Sequence, residues 1–166
     1  MVAFVVVSHS RKLAEGVQDI CKMTAPEVIV YPVGGLEDGS FGTDYQCVES
    51  AIRSADNPDG VIVLCDIGSS VMTSEMVLEN IGSDKARIAD CPLVEGAIVG
   101  TILASAGADI DKILKELSSV AKQKKMKGNI NYEIRNRWTS QRWQKHFIQF
   151  FDPCRCGVGK LSVLHN

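Results

Sequence analysis

The chain has 166 residues, the length of about one ordinary domain, and its balance of 45% hydrophobic to 23% charged residues is one that disordered chains do not reach. No run of about 18 uncharged apolar residues exists to cross a bilayer. The opening MVAFVVV lacks the basic start and long apolar stretch of a secretory leader, so the expectation is a cytoplasmic protein without membrane insertion. The net charge of −2 conceals an asymmetry: residues 1–126 carry 11 Lys and Arg against 18 Asp and Glu, and residues 127–166 carry 7 against 2.

Taken in chain order, VAFVVVS (2–8) is a β-branched run too short for a helix and reads as the first strand. It stops at Ser8-His9-Ser10. Apolar residues at helical spacing, Leu13, Val17 and Ile20, predict a helix over about 11–24. EVIVYPV (27–33) is a second strand, and Gly42-Thr43-Asp44 opens a helix over 44–56. GVIVLCD (60–66) is a third strand, followed by Ile67-Gly68-Ser69-Ser70 and a helix over 70–82 whose Met72, Met76 and Val77 read as core. RIADCPL (87–93) makes a weaker fourth strand. A long helix then runs from about Leu93 to Lys124, with a possible break near Gly107 where Ala108 and Asp109 could start a new turn. Strands apolar on both faces and separated by helices predict an α/β fold, a doubly wound, mainly parallel open sheet with helices on both faces. Cys21, Cys47, Cys65 and Cys91 lie scattered in apolar periodic segments and read as reduced core residues.

In open α/β sheets ligands sit at the carboxyl ends of the strands, so His9 and Asp66 share a rim if the first and third strands are neighbours. Asp66 could then accept a hydrogen bond from one ring nitrogen of His9 and leave the other free to attack an electrophile. Gly68, Ser69 and Ser70 would present helix N–H groups to an anion, and Gly42-Thr43-Asp44 offers a similar end. A nucleophilic imidazole beside phosphate-binding donors points to phosphoryl transfer through a phosphohistidine. Each residue also has a plainer reading: Asp66, Ser70, Thr43 and Asp44 are all good helix caps, and Glu95 suits a first helical turn.

Together, VVVSHSRKLAEGV at the start, GTD at 42–44, DIGSS at 66–70 and PLVEGAIVGTILASAGADIDKI at 92–113 resemble the DhaM family, the phosphotransferase subunits of dihydroxyacetone kinases that draw on the bacterial phosphoenolpyruvate system. The resemblance spans residues 1 to about 125. It implies the fold of mannose-type enzyme IIA domains, usually a homodimer, in which His9 accepts phosphoryl from the carrier HPr. It further implies delivery to ADP on the DhaL subunit, which phosphorylates dihydroxyacetone held by DhaK. By matching motif positions, His9 and Asp66 are the catalytic pair and Thr43, Gly68, Ser69 and Ser70 line the phosphoryl pocket. No cofactor is implied, and the P-loop pattern is missing: GVGK at 157–160 has Cys154 where the first glycine belongs and Leu161 where the hydroxyl belongs.

Residues 126–166 depart from the family as an atypical basic, aromatic extension that holds six of the ten aromatic residues, Trp138 and Trp143 among them. Arg and Trp can bind nucleic acid, but the plainer readings are an amphipathic extension packing on the domain or its dimer mate, or an aberrant reading-frame product, and no nucleic-acid partner is expected. Cys154-Arg155-Cys156 lacks zinc-site spacing, so no metal is expected there, and His146 and His165 read as incidental. Two other functions remain open. One is a mannose-type enzyme IIA component feeding a sugar permease IIB domain, and the other is a binding module regulated by phosphorylation. A histidine phosphatase or mutase needs a second histidine and clustered arginines, and no other histidine precedes His146.

Overall fold

Valine and isoleucine runs that cannot bury both faces alone line up as a parallel sheet in the computed structural model, which describes residues 1–122. The strands β1 (Ala3–Ser8), β2 (Val30–Gly34), β3 (Val61–Cys65) and β4 (Ala86–Ile88) pair in the order β2-β1-β3-β4. Phe4 stands opposite Val30 on one side and Ile62 on the other, and Val63 stands opposite Ile88. Because the chain winds outward from β1 in both directions, the topological switch point falls between β1 and β3. His9 and Asp66 follow those two strands.

Strand alternation sorts the core into two layers. Phe4, Val6, Ile62 and Leu64 pack under α1 (Arg11–Thr24), α4 (Leu93–Ser105) and α5 (Ile110–Val120) with Ala14, Val17, Ala97, Ile113 and Leu117. Val5, Val7, Val61 and Val63 pack under α2 (Tyr45–Ala55) and α3 (Gly68–Ile81) with Val48, Ile52 and Val77. Each fully buried side chain of this size contributes about 1.5–3 kcal/mol, so the sheet is a stiff platform for its carboxyl rim.

Three expectations are corrected, and the break foreseen near Gly107 is found. The fourth strand is shorter than 87–93, because Pro92 has no N–H for the ladder and instead precedes α4. The 93–124 segment divides at that break: Gly107, at φ 82°, turns the chain after α4, and Asp109 caps α5 by accepting from the Lys112 N–H at 2.8 Å. Met72 and Met76 are not core. They are 64% and 59% exposed, since α3 turns Ser70, Ser74 and Val77 to the sheet and leaves the methionines on its outer face. Cys47 is exposed in the first turn of α2, whereas Cys21 and Cys65 are buried and Cys91 is half-buried. Burial pushes the Cys21 and Cys65 thiols up, and that of Cys91 up to about 11, which keeps them unreactive. The 126–166 extension, with Cys154, Cys156, His146 and His165, lies outside the described residues.

Candidate functional site

At the switch point the chain leaves β1 through Ser8 and His9 and enters α1, capped by Ser10, whose side chain accepts from the Leu13 N–H. One strand over, β3 ends at Asp66, whose N–H still bonds the Val7 carbonyl at 3.2 Å. This last rung holds the two loops side by side. The His9 N–H donates to Asp66 Oδ2 at 2.9 Å, and the ring Nδ1 lies 3.0 Å from Asp66 Oδ1.

Asp66 is surrounded by donors. Its Oδ2 also accepts from the Ser8 hydroxyl at 2.9 Å, and its Oδ1 accepts from the Ile67 N–H at 2.7 Å and from the Ser70 hydroxyl at 2.8 Å. Burial by itself would raise this carboxyl, but the His9 N–H, the Ser70 hydroxyl, the His9 ring and the Ile67 N–H outweigh it and hold it down to about 2. An ionised carboxylate can only accept, so Nδ1 carries a proton, and in the neutral ring the lone pair is then on Nε2. That lone pair faces Ser69, whose Oγ lies 2.6 Å from Nε2. With 24% of its side chain exposed, His9 is reachable from the rim while Asp66 behind it is more sheltered at 15%.

The residues expected at the site fall into distinct positions. Gly68 and Ser69 are exposed at the first turn of α3, where N–H groups have no carbonyl of their own helix to bond. Ser70 is fully buried and its hydroxyl is directed to Asp66 rather than to the rim. The Gly42 N–H donates to the His9 carbonyl at 2.9 Å and carries the 42–44 loop to the histidine. Half-buried Thr43 follows it, and Asp44 serves as the cap of α2 by accepting from the Cys47 N–H at 2.8 Å.

Sequence reasoning assigned no role to Ser8, which is wholly buried, donates to Asp66 and accepts from the Ser10 N–H at 3.0 Å. The available signal was a hydroxyl ending an otherwise apolar strand. Among the described residues no group of three His, Cys, Asp or Glu side chains is arranged to hold a metal ion, and no helix is long and apolar enough to cross a membrane. The arrangement is an imidazole oriented by a carboxylate at an open rim, flanked by helix N–H donors and hydroxyls.

The family model for the fructose IIA component of the phosphotransferase system (PTS) matches residues 3–114. The chain is 35% identical over 124 residues to the phosphoryl donor subunit DhaM of PEP-dependent dihydroxyacetone kinase 2 from Listeria innocua, a match covering 72% of this chain and 99% of that protein. It is 36% identical over 121 residues to the phosphoryl donor subunit DhaM of PEP-dependent dihydroxyacetone kinase from Escherichia coli, covering 69% of this chain and 26% of the relative. It therefore spans about a quarter of the Escherichia coli protein. Among solved structures, a protein of unknown function superposes with a TM-score of 0.68 at 28% identity, over 76% of this chain and 98% of that one.

Proposed function

The chain belongs to the PTS fructose IIA component family, and from that membership we propose that it is the phosphoryl relay of a dihydroxyacetone kinase. His9 takes a phosphoryl group from phosphorylated HPr and passes it to ADP held on a DhaL subunit, which then phosphorylates dihydroxyacetone bound to DhaK. The names of the Listeria and Escherichia coli relatives support the kinase as destination. The observation that carries the chemistry is the His9–Asp66 pair, with Nδ1 bonded to the carboxylate and Nε2 turned to the rim.

In the first step the Nε2 lone pair attacks the phosphorus of the donor phosphohistidine. The new P–N bond forms as the donor's P–N bond breaks, and that electron pair returns to the donor ring. While Nε2 carries the phosphoryl group and Nδ1 keeps its proton, the ring is positively charged, and the Asp66 carboxylate at 3.0 Å compensates it. Ser69 swings off Nε2 and donates to a phosphoryl oxygen, joined by the Gly68 and Ser69 N–H groups and the Thr43 hydroxyl. Ser70 and Ser8 act through Asp66 by fixing its carboxylate. In the second step a β-phosphate oxygen of ADP attacks the phosphorus, the P–Nε2 bond breaks, its pair returns to Nε2, and ATP forms. Such transfers need positioning and charge stabilisation more than a base.

We assign this activity to residues 1–125, which contain the whole family match, and read 126–166 as an extension that the relay does not use. A chain ended after Lys125 should keep its uptake, and sedimentation equilibrium checks the homodimer that the family resemblance implies. The central test is incubation with phosphoenolpyruvate, enzyme I and HPr, which should add one acid-labile phosphoryl group at His9 and none to a His9→Ala chain. Side-by-side discharge of the labelled protein to DhaL–ADP and to a mannose-type IIB domain decides the destination. Faster loss to the IIB domain would overturn the kinase assignment.

A further inference from the structure

The two methionines that the sequence assigned to the core lie in line with the reacting atom. On an α-helix residues at i, i+3 and i+7 share one face, so Met72 and Met76 continue the stripe begun by Ser69, whose hydroxyl touches His9 Nε2. Ile67, just before the helix, is 60% exposed, and Phe41, just before the Gly42 that bonds to His9, is 81% exposed. A single exposed apolar side chain is ordinary, but four of them flanking one nucleophile are a surface feature. Charge around them is mainly acidic, with Arg11 and Lys12 the exposed cations beside His9. Glu75 and Glu79 lie exposed on α3, Glu37 and Asp38 lie exposed before Phe41, and residues 54–84 contain no Lys or Arg.

Resting on the relay reading above, we propose that the Met72–Met76 stripe with Ile67 is the docking surface for the ADP-carrying kinase subunit, whose matching face presents an apolar patch ringed by basic side chains. An acidic rim repels free nucleotide, yet it attracts a partner whose own cations hold that nucleotide, and opposite charges speed encounter. The attacking phosphate oxygen must come within about 3–3.5 Å of the phosphorus on Nε2, so the partner has to seat next to Ser69, where the stripe begins. Methionine side chains, flexible and polarizable, suit a contact that forms and releases at every turnover.

The test uses the full chain with Met72→Ser and Met76→Ser combined, phosphorylated on His9, and follows discharge to DhaL–ADP below saturation. Loss of two central apolar contacts is expected to slow discharge about 10-fold or more. Phosphorylation of His9 by the small donor phosphoramidate, and the melting temperature, should not change. Met23→Ser, which alters a methionine 77% exposed at the far end of α1, should discharge normally. Unchanged discharge by the double variant overturns the proposal, as does an equal loss of reactivity toward phosphoramidate. Slowed uptake from HPr with normal discharge would give the surface to the donor, and dissociation of a dimer would give it to a second copy; either result overturns the assignment. Should the double variant fail to melt cooperatively, Glu79→Lys takes its place: slower discharge at low salt that recovers at high salt supports the proposal, and no salt-dependent difference overturns it. Failure of the relay reading looks different, since the unaltered phosphorylated chain would then not discharge to DhaL–ADP at all.

Discussion

Helices α3 and α4 both press small residues against the sheet, and they do so for different ends. In α4 the inward residues are Gly96, Ala97, Gly100, Thr101 and Ala104, and a Cβ built on Gly100 would lie 2.8 Å from the Phe4 ring. The one hydroxyl in that set, on Thr101, donates back to the Ala97 carbonyl of its own helix at 2.8 Å. In α3 the inward residues are Ser70, Ser74 and Val77, and the Ser70 hydroxyl, shared with the Ile67 carbonyl at 2.7 Å, lies 2.8 Å from the Asp66 carboxylate. Small size in α4 makes room, whereas in α3 it brings a donor to the Asp66 carboxylate. Substitutions that separate these two uses should therefore divide cleanly between rate and stability.

The largest expected effect is on rate. Asp66→Asn keeps the side-chain shape but no longer holds the Nδ1 proton on an anion or compensates the phosphorylated ring, and phosphoryl uptake at His9 should fall about 10²–10⁴-fold. Quench-flow labelling measures it. Gly100→Ala, far from the rim, should leave uptake per folded molecule at the unaltered rate.

Acid unfolding sharpens the same contrast. The Asp66 carboxyl is lowered from its ordinary 3.8 to about 2 in the folded chain, so its ionisation stabilises the fold above the unfolded value and that contribution disappears as pH falls toward 2. The sign is that of a depressed carboxylate: full benefit near pH 5 and above, none below about 2, and a total of about 2 kcal/mol. Urea titrations from pH 6 to pH 2 should show the gap between the unaltered chain and Asp66→Asn closing through this window. For Gly100→Ala the gap should stay constant across it.

Next comes packing. Phe4 is fully buried, so its ring has little space to yield to a new Cβ at position 100. Overpacking costs about 1–3 kcal/mol, and alanine's better helix propensity offsets about 1 of that. Gly100→Ala should lower stability by up to about 2 kcal/mol, read as an earlier urea midpoint with an unchanged slope.

The contrast between these helices also marks what the sequence disclosed. The alternation of β-branched strands with helical segments makes the doubly wound sheet legible, and the rule for ligands at strand ends singles out His9 and Asp66. Phase errors came where polarity and burial part company. Ser70 and Ser74 are polar and fully buried, so a reading by hydrophobicity turned α3 the wrong way and sent Met72 and Met76 inward. Ser8 was passed over for a related reason: a hydroxyl at a strand end normally meets water, and only the β1–β3 pairing brings Asp66 within 2.9 Å of it. Long-range pairing leaves no local signature in the chain, and so the donors that hold Asp66 were the hardest part to read.

The finest contrast lies within α3 itself, between its two buried serines. Ser70→Ala removes one donor from the Asp66 carboxylate, a charge-assisted bond of the kind worth about 1.5–3 kcal/mol, and should slow uptake about 10-fold while raising the acid window of unfolding. Ser74 is equally buried, but among the described residues its Oγ meets the Cys65 sulfur, at 3.5 Å. A thiol is a weak partner, and burial already keeps Cys65 protonated, so losing the contact strands no charge. Alanine fills nearly the same space and favours the helix. Ser74→Ala should thus leave both uptake and urea midpoint within about 0.5 kcal/mol of the unaltered chain. A fall in uptake comparable to that of Ser70→Ala would mean that Ser74 also orders the rim through Cys65, and the division between room-making and carboxylate-holding residues would have to be drawn elsewhere.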